Sequence, residues 1–204
     1  MKQAYSVKKV LETQFKTAEF DGEWLAAVGN PEMTGSWSIG GMPKNGKTSF
    51  ALMLAKYLTK FGKVAYDSVE EGLTLSFQNA MKRAGMDEVS GKFILLDREP
   101  IEDLTERLKK HRSPDIVFID SIQFAELNFQ TYKKLKKTYP NKLFVYLTHI
   151  KGRRPHGDSA VKIWRDSNVV FSVEGFRAFP ISRYGGGAQI DVNAELATEY
   201  WGKI

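Results

Sequence analysis

Apolar and polar positions along this 204-residue chain follow two periods in turn. Short apolar runs at 35–39 (GSWSI), 63–68 (KVAYDS), 93–96 (FILL), 115–120 (DIVFID) and 143–148 (LFVYLT) read as buried strands. Between them the spacing is helical. Phe50, Ala51, Leu52, Met53, Leu54 and Ala55 lie in a predicted helix over 47–61, and Leu73, Phe77, Ala80, Met81 and Ala84 recur on one face of a second. A charged helix over 101–110 and a Lys-rich helix over 128–139, stopped by Pro140, complete the series. Strands that alternate with helices of this length predict an α/β fold, a mainly parallel sheet with helices on both faces. After residue 167 the rhythm changes to strand-like stretches at 168–173, 178–183 and 189–192 with short links, which predicts antiparallel additions near the C-terminus. The whole chain, 1–204, reads as one domain: a helical extension over 1–34 and a core over 35–192. In the extension, Val7, Val10, Leu11 and Phe15 form a stripe expected to dock a helix on the chain's own core.

The sharpest chemical signal is GGMPKNGKTSF, which begins at Gly40. From Gly41 to Thr48 it spells G-x-x-x-x-G-K-T, the pattern of a loop that cradles nucleotide phosphates, and it lies between a predicted strand and a predicted helix as that role requires. Gly41, Met42, Pro43, Lys44, Asn45, Gly46, Lys47, Thr48 and Ser49 are the expected nucleotide contacts. Glycine permits backbone angles at which successive N–H groups converge on a phosphate. Lys47 is expected to bridge the β- and γ-phosphates, and the Thr48 hydroxyl to complete a Mg²⁺ shell.

Composition narrows the setting. With 42% hydrophobic residues the chain can bury one good core. No stretch approaches the ~18 apolar residues of a membrane span, and MKQAYSVKKV lacks the apolar segment of a signal peptide, so a cytoplasmic protein without a membrane partner is expected. Absence of cysteine excludes disulfides and cysteine-ligated zinc. The formal net charge of +6 leans toward polyanionic partners.

Two carboxylate positions complement the loop. Asp120 ends an apolar strand, which puts it at the carboxyl edge of a parallel sheet, where it can hold the Mg²⁺ shell. Glu70 and Glu71 lie just past the strand at 63–68, where a carboxylate can orient water against a γ-phosphate.

Taken in order, these stretches resemble the RecA-like P-loop ATPases, a group that includes RecA and RadA recombination proteins, DnaB helicases and KaiC-type proteins. VAYDSVEEG resembles their strand ending in Ser-x-Glu, DIVFIDSIQ their second motif, YLTHIKG their sensor strand, and RYGGG their basic hairpin. The likeness spans about residues 35–192. It implies that Glu70 is the water-activating base, with Glu71 as the fallback. It further implies that Asp120 is the Mg²⁺-side carboxylate, His149 the γ-phosphate sensor and Arg183 a finger reaching a neighbour's nucleotide. It also implies ATP as substrate and a homo-oligomer, a ring or filament.

KGRRPHGD follows the sensor strand, and Lys151, Arg153 and Arg154 are the expected nucleic-acid contacts, with single-stranded DNA favoured. Trp164 is expected to pack beneath this loop. Gly185, Gly186 and Gly187 are expected to let the segment after Arg183 project as a tight hairpin. Phe15 and Ala18 fit a short Phe-x-x-Ala tether, for which the docked helix is the simpler reading. A guanine-specific hydrolase is disfavoured because the only Asn-Lys, at 141–142, continues into Leu143 and Phe144. The expected function is a Mg-dependent ATP hydrolase acting on DNA in recombination, repair or replication. The alternatives are an ATP-gated, protein-binding switch of KaiC-like type and a small-molecule kinase.

Overall fold

The computed structural model describes residues 4–152 and 154–202. Its helices are α1 (Val7–Glu12), α2 (Gly22–Val28), α3 (Lys47–Leu58), α4 (Leu75–Arg83), α5 (Ile101–Lys109), α6 (Phe129–Thr138), α7 (Asp158–Asp166) and α8 (Ala194–Trp201). Its strands are β1 (Gly35–Gly41), β2 (Val64–Ser68), β3 (Phe93–Leu96), β4 (Ile116–Asp120), β5 (Leu143–Lys151), β6 (Arg154–Pro155), β7 (Val169–Glu174), β8 (Arg177–Ser182) and β9 (Ile190–Asp191). Among the described residues they form a nine-stranded sheet in the order β3-β2-β4-β5-β1-β7-β8-β9, with β6 paired to β5. Pairing is parallel from β3 through β7, and β8 and β9 add antiparallel.

Side-chain alternation divides the core between the two faces of the sheet. Trp37, Ile39, Tyr66, Phe118, Val145 and Leu147 point to one face, against Phe50, Leu54 and Leu58 of α3. Ala65, Val117, Ile119, Phe144 and Tyr146 point to the other, against Leu104 and Leu108 of α5, Leu135 of α6 and Ile163 of α7. Strands covered on both faces read as continuous apolar runs, which is why β4 and β5 were plain in the sequence.

Two expectations change, and one helix is added. Val7, Val10, Leu11 and Phe15 are largely exposed, so α1 does not dock on its own core. That part is taken by α2, whose Trp24 stacks on Tyr57 with ring centroids 5.1 Å apart. The added helix is α7, to which the sequence reading assigned no element; the spacing of Ala160 and Ile163, both buried, is its sequence signature. The second change is that the segment after Arg183 does not project. Gly187 and Ala188 donate backbone hydrogen bonds to Ala27 and Ala26 of α2 at 2.9 and 3.0 Å. A Cβ on Gly186 would lie 2.6 Å from the Ala27 backbone, so glycine serves close packing there.

Candidate active site

The parallel register brings the carboxyl ends of β1, β2, β4 and β5 together, the usual ligand crevice of an open α/β sheet. A cleft of about 590 Å³ opens there and is lined by Lys47, Thr48, Glu70, Asp120 and His149 together with Met42, Pro43, Lys44, Gly46 and Ser49. Thus one surface unites residues spread over 135 positions, from Met42 to Phe176.

The loop's shape follows from its residues. Gly46 takes a left-handed conformation (φ 91°) as the N-cap of α3, and Lys44 is left-handed as well (φ 63°). Gly41 is needed for a different reason: a Cβ there would stand 2.7 Å from the Val173 carbonyl of neighbouring β7. Asn45 turns away from the cleft and accepts a hydrogen bond from the Gly175 N–H at 2.9 Å, stitching the loop to the β7–β8 turn. α3 begins at Lys47, so its unpaired N–H groups and positive end face the cleft, an arrangement that favours phosphate.

Asp120 is buried at the end of β4, and the Tyr66 hydroxyl donates to its Oδ2 at 2.6 Å. Burial raises the Asp120 carboxyl above its usual range, opposed by that hydrogen bond and by the Lys47 charge. Glu70 is attached to the same strand end through its N–H, which donates to the Asp120 carbonyl at 2.9 Å. Its carboxylate Oε2 lies 2.9 Å from His149 Nε2. His149 reaches this position because β5 pairs with β1 so that His149 stands opposite Gly41. Glu71 also lines the cleft, but its carboxylate accepts from the Thr74 hydroxyl at 3.1 Å.

The basic loop is a hairpin of β5 and β6, with Lys151 opposite Arg154 and both side chains exposed. Arg153 lies outside the described residues. Trp164 and Ile150 both pack against Gly40: a Cβ there would lie 2.8 Å from either side chain. Arg183 is exposed and is not part of this cleft. It follows Ser182, which pairs with Val169, whereas the phosphate loop leaves the sheet beside Val173. Four residues of strand, roughly 13 Å, separate those two levels.

Sequence reasoning overlooked Gln123, three residues beyond Asp120. Its amide nitrogen donates to Thr148 Oγ1 at 2.8 Å and to the His156 carbonyl at 2.7 Å, and its Oε1 accepts from the His149 N–H at 3.3 Å. It therefore ties the strand carrying His149 to the base of the basic hairpin. Ser76, Arg83 and Phe176 also line the cleft. Their positions depend on how α4 and the β7–β8 turn pack, for which the local sequence carries no signal.

Asp67 lies one residue from Tyr66 on the opposite face of β2 and is fully buried. Its Oδ1 accepts from the Glu99 N–H at 3.0 Å, while its Oδ2 has no hydrogen-bond partner among the described residues. Burial pushes its carboxyl from 3.8 up to about 7; the Glu99 N–H and Arg107 oppose this, while the Glu99 and Asp120 charges reinforce it. The folded state therefore binds a proton that the unfolded state has already released between about pH 4 and 7, and stability falls as pH rises through that window. The full difference amounts to as much as roughly 4 kcal/mol. Thermal unfolding followed from pH 5 to 8 should show this decline, and Asp67→Asn should flatten it. An unchanged slope in that variant would assign the pH dependence elsewhere.

With this geometry established, comparison with known proteins places the fold. No protein-family profile matches the chain, and no curated protein matches its sequence. Solved structures do match. The ATPase domain of G40P superposes with a TM-score of 0.57 at 15% identity, covering 82% of this chain and 84% of that one. The flagellar accessory protein FlaH from Methanocaldococcus jannaschii superposes with a TM-score of 0.59 at 16% identity, covering 87% and 94%. The fold is that of the RecA-like P-loop ATPases, with the antiparallel strands at the C-terminal side of the sheet. Among the described residues no helix is long and apolar enough to cross a membrane.

Proposed function

We propose that the protein is a Mg-dependent ATP hydrolase of RecA type that binds single-stranded DNA and works as a ring or filament of identical chains. The observation that carries this reading is the joining of two features on one strand. β5 presents His149 to the cleft and, two residues later, presents Lys151 in an exposed basic hairpin.

In this reading the loop N–H groups and Lys47 hold the β- and γ-phosphates, and Glu70 orients the attacking water and accepts its proton. His149 fixes the Glu70 carboxylate until the γ-phosphate arrives. Thr48 and Asp120 fit a Mg²⁺ ion, because a hydroxyl and a buried carboxylate clamped by Tyr66 line the same cleft. When bound, that ion neutralises charge on the phosphate oxygens. Loss of γ-phosphate would release His149, and Gln123 would pass that change to the hairpin.

Neutralising Lys151 and Arg154 should weaken single-strand binding and reduce its log-log salt slope by up to about two phosphate contacts. Anisotropy titrations at several salt concentrations, with ATPase assays with and without single-stranded DNA, read both effects. An unchanged slope would leave the hairpin merely solvated. A second reading is an ATP-gated, protein-binding switch; FlaH, a flagellar accessory protein, has the same fold. That reading predicts ATP hydrolysis that single-stranded DNA neither binds nor stimulates.

A further inference from the structure

The β7–β8 turn builds a second surface beside the phosphate loop. Phe176 lines the main cleft and also an adjoining recess of about 270 Å³, whose other walls are Leu196, Glu199 and Tyr200 of α8. Phe176 is left-handed (φ 57°), a conformation unfavourable for a bulky side chain and sustained only where the surroundings enforce it. Here they do. The Phe176 N–H donates to the Asn45 carbonyl at 3.2 Å, the Val192 N–H donates to the Phe176 carbonyl at 2.8 Å, and Asn45 Oδ1 holds the adjacent Gly175 N–H. The ring lies against the loop itself, since a Cβ on Gly46 would be 3.1 Å from Phe176 Cδ1. Tyr200 packs over Gly175, where any Cβ would meet its ring at 2.2 Å, and its hydroxyl donates to Glu174 Oε1 at 3.4 Å. Even so, Tyr200 stays 43% exposed and Leu196 38% exposed, so an apolar shelf stands open next to a charged cleft.

A ligand that suits both surfaces at once carries anionic groups at one end and a flat apolar ring at the other. We propose that Phe176, Leu196 and Tyr200 form the platform on which the nucleobase of the bound nucleotide stacks, and that this contact selects by ring surface instead of by hydrogen-bond pattern. The proposal rests on the reading of the cleft as a nucleotide site. Stacking on aromatic side chains tolerates any base, because every base has a π-face, and larger bases gain more contact. ATP and GTP should therefore bind within about tenfold of each other, and CTP more weakly than either.

Calorimetric titration of the whole chain with ATP, GTP and tripolyphosphate, each with Mg²⁺, tests this. Phe176→Ala and Tyr200→Ala should each weaken ATP by about tenfold, the scale of one lost base stack, while tripolyphosphate binds as it does to the wild type. Tyr200→Phe keeps the ring and loses only the hydrogen bond to Glu174, so it should retain ATP affinity. Equal losses for ATP and tripolyphosphate would show that the variants disturb the loop and would overturn the platform, as would undiminished ATP binding in both alanine variants. Tight ATP binding without detectable GTP binding would replace stacking with a hydrogen-bond reader. Wild-type protein that binds neither ATP nor tripolyphosphate would instead overturn the nucleotide reading beneath it.

Discussion

If the chain works as the proposed ring or filament with Arg183 as an arginine finger, Arg183→Ala is expected to lower ATP turnover by about three to five powers of ten. The side chain is exposed and leaves the sheet roughly 13 Å from the level of its own phosphate loop, so its expected target is a nucleotide held by a neighbouring chain. A planar, permanently charged guanidinium suits a γ-phosphate better than an ammonium. Backbone hydrogen bonds from Gly187 and Ala188 to α2 anchor the segment that follows, which would hold Arg183 steady for a neighbouring subunit. Specific activity should rise with protein concentration. Mixing Arg183→Ala with Lys47→Ala subunits should restore part of the activity, since an intact finger then meets an intact loop. Full activity in a concentration-independent monomer, or in Arg183→Ala itself, would end this assignment.

Glu70→Gln should slow hydrolysis by about two to four powers of ten while leaving ATP bound. The amide keeps the size of the carboxylate and can still meet His149 Nε2, which lies 2.9 Å from the native oxygen, but it cannot accept the proton of water. Rapid-quench measurement of bound ATP distinguishes retention from failure to bind. Glu71 is the control. Its carboxylate already accepts from Thr74, so Glu71→Gln should be milder. The reverse ranking would move the base by one residue.

Much of this could be read in the chain before folding was considered. Strands buried on both faces leave uninterrupted apolar runs, so β2, β4 and β5 were legible, and with them the placing of Asp120 at the end of β4 and of Glu70 just past β2. The phosphate loop was legible because its constraints are local: left-handed Gly46 and a lysine that opens a helix are properties of consecutive residues. Gly41 was found for the wrong reason. Its lack of a side chain answers to the Val173 carbonyl of β7, a contact across 132 positions that no local pattern encodes.

The exposed α1 shows the opposite failure, for an apolar stripe reports that a surface wants covering without saying what covers it. Local sequence determined the strand–loop–helix alternation, the phosphate cradle and the residue types at each strand end, because backbone geometry and hydrophobic period act over neighbouring positions. Only the tertiary structure decided that Glu70 meets His149, that Gln123 bridges to the hairpin, that Phe176 borders the cleft and that Arg183 does not. Those relations depend on strand order and register, which are set by the packing of both faces of the sheet together.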